Sequence, residues 1–376
     1  MYLYIYLFLL ISYLMSLLNK KTEKISYPLS LIWLAVVMCF RYGQGTDYFS
    51  YKEILTHLNT LEKAVFNTEH VHSEIGFRIF FSFFYGHYEV FIFTLSLLMI
   101  FLMNKFITRY SRNKLLSLLL IYPTVVISYL LNQMRGGITI MLFLGIMLRY
   151  FENWPKDKKK YYLMCLVATS IHTSALILFF IPYIRKIKIR NFVIVTGICI
   201  VIGMLFSLSI SRKILLSIPY LADYINPYID PQISFFAFAE RMITYAVMLV
   251  AYYYAKGNKN VIIKEWIAIY SFGVCIYCTL LMFPLISSRL MIYMKVLEVI
   301  IFPWLLSKKS IYRQIIIMYL VVLMSVMVCK NLQASLVQGR YYSNELKNYP
   351  YITIFNKDEM WKYRPKNVVE RLSLEE

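Results

Sequence analysis

The sequence predicts an all-α polytopic integral membrane protein, and three observations support this fold class. Of the 376 residues, 60% are hydrophobic, and the mean hydropathy is +0.59, whereas soluble domains contain roughly 45–50% apolar residues. The apolar runs are about 15–23 residues long and lack strict alternation, which favours membrane-spanning helices over strands. The net charge of +20 comes from short basic clusters between these runs, as the positive-inside rule expects.

The first half of the chain predicts alternating crossings of the membrane. Met1–Leu18 is expected to be the first span rather than a cleaved signal, because it lacks a basic start and a small-residue cleavage site. The next predicted spans are Ile25–Phe40, Tyr88–Met103, Leu115–Leu131 and Ile138–Phe151. Pro123 is expected to kink the span Leu115–Leu131. Loop 41–74 is acidic and is expected on the outer face. An interfacial helix is predicted near residues 75–86, which are too few to span a bilayer.

The segment Tyr161–Ile184 is predicted to be interrupted. Basic clusters lie on both sides of it, at residues 158–160 and 185–190, so one crossing would leave a basic cluster outside. The segment is also too short for two full crossings of about 20 residues each. We therefore predict a short hairpin of broken helices with His172 near its tip.

The second half of the chain continues the pattern of spans: Asn191–Ile210, Arg241–Ala255, Val261–Phe283, Leu290–Leu306 and Ile311–Cys329. With the hairpin, the predicted total is roughly 11–12 transmembrane helices. The predicted organisation is a single transmembrane domain over residues 1–330, with outer loops 41–74 and 211–240. A polar C-terminal tail follows over residues 331–376.

The loop after the second predicted span concentrates polar groups. Gly43 and Gly45 allow a tight turn that other residues resist. Such a turn would aim four polar side chains into one small volume: Arg41, Asp47, Tyr48 and Tyr51. The alternative is an ordinary solvated loop, because polar loop residues mostly face water.

Ionisable residues near membrane spans are functional hypotheses, because placing them there is costly. Arg135 lies beside Gln133 and two glycines, which favours a small polar pocket over a snorkelling arginine. Arg241 follows Glu240, so a local ion pair is its alternative. Guanidinium groups fit phosphate oxygens bidentately, and four arginines therefore predict a polyanion clamp: Arg41, Arg135, Arg241 and Arg289.

His172 is a candidate general base, with Thr173 and Ser174 beside it. A neutral imidazole, with an unperturbed pKa of about 6.5, accepts a proton from a hydroxyl near neutral pH. Asp47 is the first candidate for the same role, and Glu74 and Glu240 are further alternatives. The sequence contains no Walker loop, zinc motif or nucleophile elbow, so no metal and no cofactor are expected.

Four short motifs together resemble the EpsG family, a branch of the Wzy-type bacterial polysaccharide polymerases. They are Arg-Tyr-Gly-Gln-Gly-Thr-Asp-Tyr at 41–48, Glu-Ile-Gly-Phe at 74–77, Asn-Gln-Met-Arg at 132–135 and His-Thr-Ser-Ala at 172–175. Their order and spacing are similar to the family over residues 1–183. One departure is Gly136, where the family usually has a glutamine.

The resemblance implies a glycosyltransferase of the bacterial plasma (inner) membrane. It would join oligosaccharide repeats linked to polyprenyl diphosphate, such as undecaprenyl diphosphate, into an O-antigen, capsule or exopolysaccharide at the outer face. The expected catalytic residues are Asp47, His172 and Arg135. The expected substrate-binding residues are Arg41, Tyr48, Tyr51, Glu74, Gln133, Ser174, Arg241 and Arg289.

The expected partners are the lipid-linked oligosaccharide, membrane lipids, a chain-length regulator and a flippase, with no nucleic acid. Two alternative functions belong to other classes. A flippase or transporter of lipid-linked oligosaccharides would need related halves, which the sequence does not contain. A membrane acyltransferase that modifies glycans could also use a histidine base.

Overall fold

The computed structural model describes residues 1–58, 60–66, 73–185, 187–208, 217, 235–257, 261–308, 312–343 and 345–365. Helices dominate these residues, and their only β-pairing is an isolated bridge between Arg41 and Thr353. Most of the predicted outer loop 211–240 lies outside the described residues, including Tyr220, Tyr224 and Tyr228.

Seven helices in the described ranges are long and apolar enough to cross a membrane, which confirms the predicted multi-pass, all-α membrane protein. We number the helices in chain order. The long ones are α6 (Tyr88–Tyr110), α7 (Lys114–Asn132), α8 (Met134–Glu152), α11 (Ile189–Phe206), α12 (Phe235–Gly257), α13 (Val261–Thr279) and α16 (Arg313–Gln338). The total of roughly 11–12 spans stays a prediction, because other predicted spans correspond to shorter or more polar helices.

Apolar side chains on these helices remain exposed in the isolated chain. On α11 they include Ile194, Ile198 and Val201, which are 54–58% exposed. Soluble proteins rarely expose such continuous apolar surface. These side chains are suited to contact lipid.

Contacts group the chain into two compact units. The first unit contains residues 1–173 and 306–376. Its other helices are α1 (Tyr2–Leu18), α2 (Lys21–Cys39), α3 (Tyr48–Thr56), α4 (Leu61–Phe66), α5 (Ile75–Ser82) and α9 (Lys158–Ile171). In this unit α1 packs on α2, α2 on α6, α7 on α8, and α5 on α9.

The second unit contains residues 174–305. Besides α11, α12 and α13 it holds most of α10 (Thr173–Ile184), together with α14 (Pro284–Lys295) and α15 (Glu298–Leu306). Helix α13 is its centre, because α11, α12 and α14 all pack against it. The predicted single domain over residues 1–330 stays a prediction.

The predicted interruption near His172 is confirmed. Helix α9 ends at Ile171, and His172 is extended, with φ −153° and ψ 120°. The chain then continues as a 3₁₀-helix from Thr173 to Phe180. Irregular backbone in a membrane protein is tolerated where it is buried in protein or lines a cavity.

Helix α7 changes its winding at the position where a proline was expected to kink it. The α-helix ends at Ile121, and Tyr122–Asn132 is π-helical, with Pro123 in its first turn. Gln133 then has φ −115° and ψ 70° before α8 begins. π-Helical segments are frequent at functional sites. This one ends just before α8, which has Arg135 in its first turn.

The C-terminal segment is folded onto the glycine loop, which comprises residues 43–47. Helix α16 continues to Gln338, and the chain after it returns to this loop. Tyr42 N–H donates to the Ile352 carbonyl at 2.9 Å, and Arg364 Nη2 donates to the Gly45 carbonyl at 2.9 Å. Part of the predicted polar tail therefore belongs to the first unit.

Candidate functional site

Glu74 is the centre of a polar cluster in the first unit. Its Oε2 accepts from Arg135 Nη1 at 2.6 Å, while its Oε1 lies 3.0 Å from His172 Nδ1. Oε1 also accepts from Thr173, from the backbone N–H at 3.0 Å and from Oγ1 at 3.1 Å. One carboxylate thus connects Arg135 and His172, two predicted catalytic residues that are far apart in the sequence.

Close packing of two helices brings Glu74 to His172. Glu74 precedes α5, and Gly76 in its first turn meets Ser170 near the end of α9. A Cβ at Gly76 would lie 2.2 Å from Ser170 Oγ, so a larger residue would push the helices apart. The glycine of the Glu-Ile-Gly-Phe motif therefore permits the contact between the carboxylate and the imidazole.

The environment of Glu74 keeps it ionised. Burial alone opposes the charged form, but hydrogen bonds from His172 and Thr173 and the charge of Arg135 outweigh it, holding the pKa of the Glu74 carboxyl well below its usual range. A carboxylate with such a low pKa is a poor general base, because it has little affinity for a proton near neutral pH. Its contribution is to orient its neighbours.

The Glu74 contact assigns different tasks to the two nitrogens of His172. A carboxylate accepts a hydrogen bond, so Nδ1 carries the proton when the neutral imidazole faces Oε1. Nε2 is then the nitrogen with a lone pair for a substrate proton. The side chain is 17% exposed, so it is shielded but can be reached.

Arg135 is held in a fixed orientation by two partners. Its Nε donates to Tyr51 Oη at 2.9 Å, and its guanidinium carbon lies 5.7 Å from the Tyr51 ring centroid and 6.0 Å from that of Phe77. Burial raises the pKa of Tyr51 to about 12, so this phenol stays neutral. A quarter of the Arg135 side chain remains exposed, and the first turn of a helix favours anions.

Asp47 lies on the glycine loop, which Asn132 ties to the end of α7. Thr46 N–H donates to Asn132 Oδ1 at 3.0 Å, and Thr46 Oγ1 donates to Asp47 Oδ1 at 3.0 Å. Asp47 also precedes α3, the helix that carries Tyr51. The Asn-Gln-Met-Arg motif therefore serves two purposes, because Asn132 supports the loop while Arg135 binds Glu74.

Arg41 and Tyr48 are buried rather than presented to a ligand, with 0% exposure each. Arg41 Nη1 contacts the Met38 sulfur at 3.5 Å, and Arg41 makes no ion pair within the described part of the chain. Tyr48 packs against the ring of Tyr88, whose hydroxyl donates to the Tyr48 carbonyl at 2.6 Å. Their predicted contact with substrate stays a prediction, and in this structure both residues support the loop.

Gly45→Ala should lower the melting temperature in detergent more than Gly86→Ala. Both glycines have positive φ, +105° and +74°, and alanine there costs about 1–2 kcal/mol. At Gly45 the added Cβ would also lie 2.2 Å from the Leu131 carbonyl oxygen, whereas at Gly86 no atom lies within 4 Å. Equal shifts for the two variants would contradict the tight fit of the loop on α7.

The second unit contains the other predicted site residues. Arg241 pairs with Glu240 at 3.0 Å and lies 4.3 Å from the centroid of the Tyr277 ring. Lys295 binds the other oxygen of Glu240 at 2.8 Å, so the local-pair alternative for Arg241 matches the structure. Arg289 is half-buried, its Nε without a hydrogen-bond partner in the described residues, and Ser174 Oγ lies 3.1 Å from Tyr293 Oη.

Sequence reasoning missed the C-terminal support of the site. The Tyr341 hydroxyl donates to the Gly43 carbonyl and Arg364 Nη2 donates to the Gly45 carbonyl. The Arg364 guanidinium carbon lies 4.3 Å from the centroid of the Tyr341 ring. No spacing signal marks them, because they lie in an irregular segment rich in both charges. Gln133 was identified as a site residue, and the structure places it half-exposed at the break between α7 and α8.

Comparison with known proteins gives one match. The model of the EpsG family matches residues 24–353, which is most of the chain. It includes all four motifs and every residue of the Glu74 cluster. No curated protein and no solved structure matches the chain.

Proposed function

The chain belongs to the EpsG family of polysaccharide polymerase-like membrane proteins, and on that premise we propose that it polymerises lipid-linked oligosaccharide repeats. Family membership fits a polysaccharide-related function in a membrane. The polymerase assignment rests on one observation: Glu74 joins an oriented arginine and an oriented histidine in a half-buried site. A glycosyl transfer from a diphosphate benefits from a base for the acceptor hydroxyl and a cation for the leaving group, and these two residues can supply them.

In the proposed reaction, His172 accepts a proton and Arg135 stabilises the negative charge of the leaving group. A hydroxyl oxygen of the acceptor sugar attacks the anomeric carbon of the donor, and the bond from that carbon to the diphosphate oxygen breaks. His172 Nε2 takes the hydroxyl proton. The polyprenyl diphosphate leaves with an additional negative charge, which the Arg135 guanidinium stabilises.

Glu74 and Tyr51 contribute through positioning. Glu74 holds His172 in one tautomer and, together with Tyr51, fixes the plane of the Arg135 guanidinium. Preorganised donors stabilise developing charge without reorganising during the reaction. Asp47 is proposed to anchor the acceptor. Its neighbour Thr46 binds Asn132, which lies three residues before Arg135 in the sequence.

Polymerisation is tested directly by product release in detergent. Purified protein is mixed with an oligosaccharide repeat carried on undecaprenyl diphosphate, and the products are separated by length. Polymerisation should yield a ladder of saccharides and free undecaprenyl diphosphate. A transporter would leave the substrate intact in micelles, and an acyltransferase would need an acyl donor, so an unchanged substrate would overturn the proposal.

The site is proposed to face outward across a bacterial inner membrane. Residues on its side should then react with a membrane-impermeant maleimide in intact cells. Glu53→Cys, on the exposed face of α3, should be labelled, whereas Lys158→Cys, beyond the far end of α8, should be protected until the cells are opened. The wild-type chain reports the background of its own cysteines, and labelling of Lys158→Cys in intact cells would reverse the orientation.

A further inference from the structure

The C-terminal segment of the first unit contains a cavity separate from the Glu74 cluster. Its volume is about 430 Å³, which falls within the roughly 300–1,000 Å³ typical of small-molecule sites. The described residues that line it lie between 341 and 363. None of them belongs to the residues already placed around Glu74, Arg135 and His172.

Tyrosine is the commonest residue type in the described lining of this cavity. Five tyrosines line it: Tyr341, Tyr342, Tyr349, Tyr351 and Tyr363. A tyrosine offers a flat apolar face and a hydroxyl that donates and accepts hydrogen bonds. A sugar ring presents the matching surface, because its C–H faces are apolar and its rim carries hydroxyls.

The charged residues in the described lining of the cavity are both lysines. Lys347 and Lys362 line it, and the described lining includes no Asp or Glu. Each lysine pairs with an exposed glutamate outside the lining, Lys347 with Glu345 at 3.0 Å and Lys362 with Glu359 at 3.8 Å, and both ammonium side chains are more than two-thirds exposed. Exposed pairs of this kind are weak, so an anionic ligand can recruit both ammonium groups.

One lining residue of the cavity contacts the glycine loop of the proposed site. Tyr341, which lines the cavity, donates from its hydroxyl to the Gly43 carbonyl at 3.3 Å. Arg364 lies on the same tyrosine ring and donates to the Gly45 carbonyl. A saccharide in the cavity would therefore rest on the wall that also supports the loop of Asp47.

We propose that this cavity is a subsite for an acidic sugar, such as a uronic acid residue of the acceptor saccharide. The tyrosine faces bind the ring, and Lys347 and Lys362 bind the carboxylate. The assignment deepens the proposed polymerase and rests on it for the biological role, but binding of the sugar is a separate property. It can therefore be measured without turnover.

The experiment measures binding to the purified full-length protein in phosphatidylcholine nanodiscs. The acidic probes are D-glucuronate, D-galacturonate and trigalacturonate, and the neutral probes are D-glucose, D-galactose and maltotriose. Saturation-transfer NMR and calorimetry should show that the acidic probes bind at least tenfold more tightly than the neutral ones. Lys347→Gln and Lys362→Gln should each weaken binding of the acidic probes several-fold. Tyr342→Ala removes a side chain that is 63% exposed, and it should weaken binding of both classes of probe.

Lys357→Gln is the matched control, because Lys357 is an exposed lysine of the same segment that does not line the cavity. Equal binding of acidic and neutral probes, or equal effects of the three lysine variants, would overturn the proposal. Loss of acidic-probe binding when phosphatidylglycerol replaces phosphatidylcholine would assign the lysines to lipid headgroups and overturn it as well. If the probes bind but no donor substrate releases undecaprenyl diphosphate, the proposed polymerase activity is wrong and the sugar subsite is retained. If a saccharide ladder forms but no probe binds, the polymerase activity is retained and the subsite is wrong.

Discussion

His172→Gln should reduce the rate of polymer formation roughly 100- to 10,000-fold, the usual contribution of a general base. Glutamine keeps a similar size and can still bind Glu74, but it has no lone-pair nitrogen to accept the proton of a sugar hydroxyl. The measurement is the rate of undecaprenyl diphosphate release by purified protein. Single lipid-linked repeats should accumulate in cells that carry the variant.

His57→Gln is the matched control, because His57 lies exposed at the end of α3, and we expect wild-type rates. Asp47→Asn separates the two candidate bases. If His172 is the base, Asp47→Asn raises the KM for acceptor more than it lowers kcat. A normal rate for His172→Gln, together with no activity for Asp47→Asn, would identify Asp47 as the base instead.

Glu74→Gln tests whether Glu74 acts through its neighbours. The amide keeps the shape of the side chain but loses the charge, so His172 and Arg135 both lose their fixed orientation. We expect a lower kcat, because the imidazole and the guanidinium then lack the charged carboxylate that both contact. A simple loss of folded protein, with an unchanged kcat in the folded remainder, would reduce Glu74 to a structural residue.

Arg135→Lys should slow polymerisation on the order of 100- to 1,000-fold, as removal of one strong transition-state donor typically does. Lysine keeps the positive charge, but it loses the planar fork that Tyr51 and Glu74 hold and that fits two phosphate oxygens. The loss should appear in kcat more than in KM, since the leaving group gains charge only as the bond breaks. Release of undecaprenyl diphosphate again provides the measurement.

Arg109→Lys is the control for the chemical change itself. Arg109 also pairs with a glutamate, Glu152, at 3.2 Å, but its side chain is 46% exposed and the pair lies at the end of α6. The charge and the substitution are the same, so only position differs. Equal rates for the two variants would contradict the assignment of Arg135 to the diphosphate.

The sequence alone was sufficient for the fold class and for the position of several structural features. Long apolar runs require helices in a bilayer, because backbone groups find no other partners there. The basic clusters on both sides of Tyr161–Ile184 predicted the interruption near His172. Pro123 predicted a disturbance in α7, because proline lacks the N–H that continues the helical ladder. All of these depend on local composition and on the bilayer as solvent.

Only the tertiary structure decided which polar residues meet. Arg41 and Asp47 lie six residues apart and looked like partners, yet Arg41 is buried against Met38 while Glu74 reaches Arg135 and His172. That outcome depends on the close contact of α5 with α9 at Gly76, and on the return of the C-terminal segment to Gly45. Contacts between residues distant in the chain depend on how helices pack, and neither periodicity nor spacing within one segment contains that information.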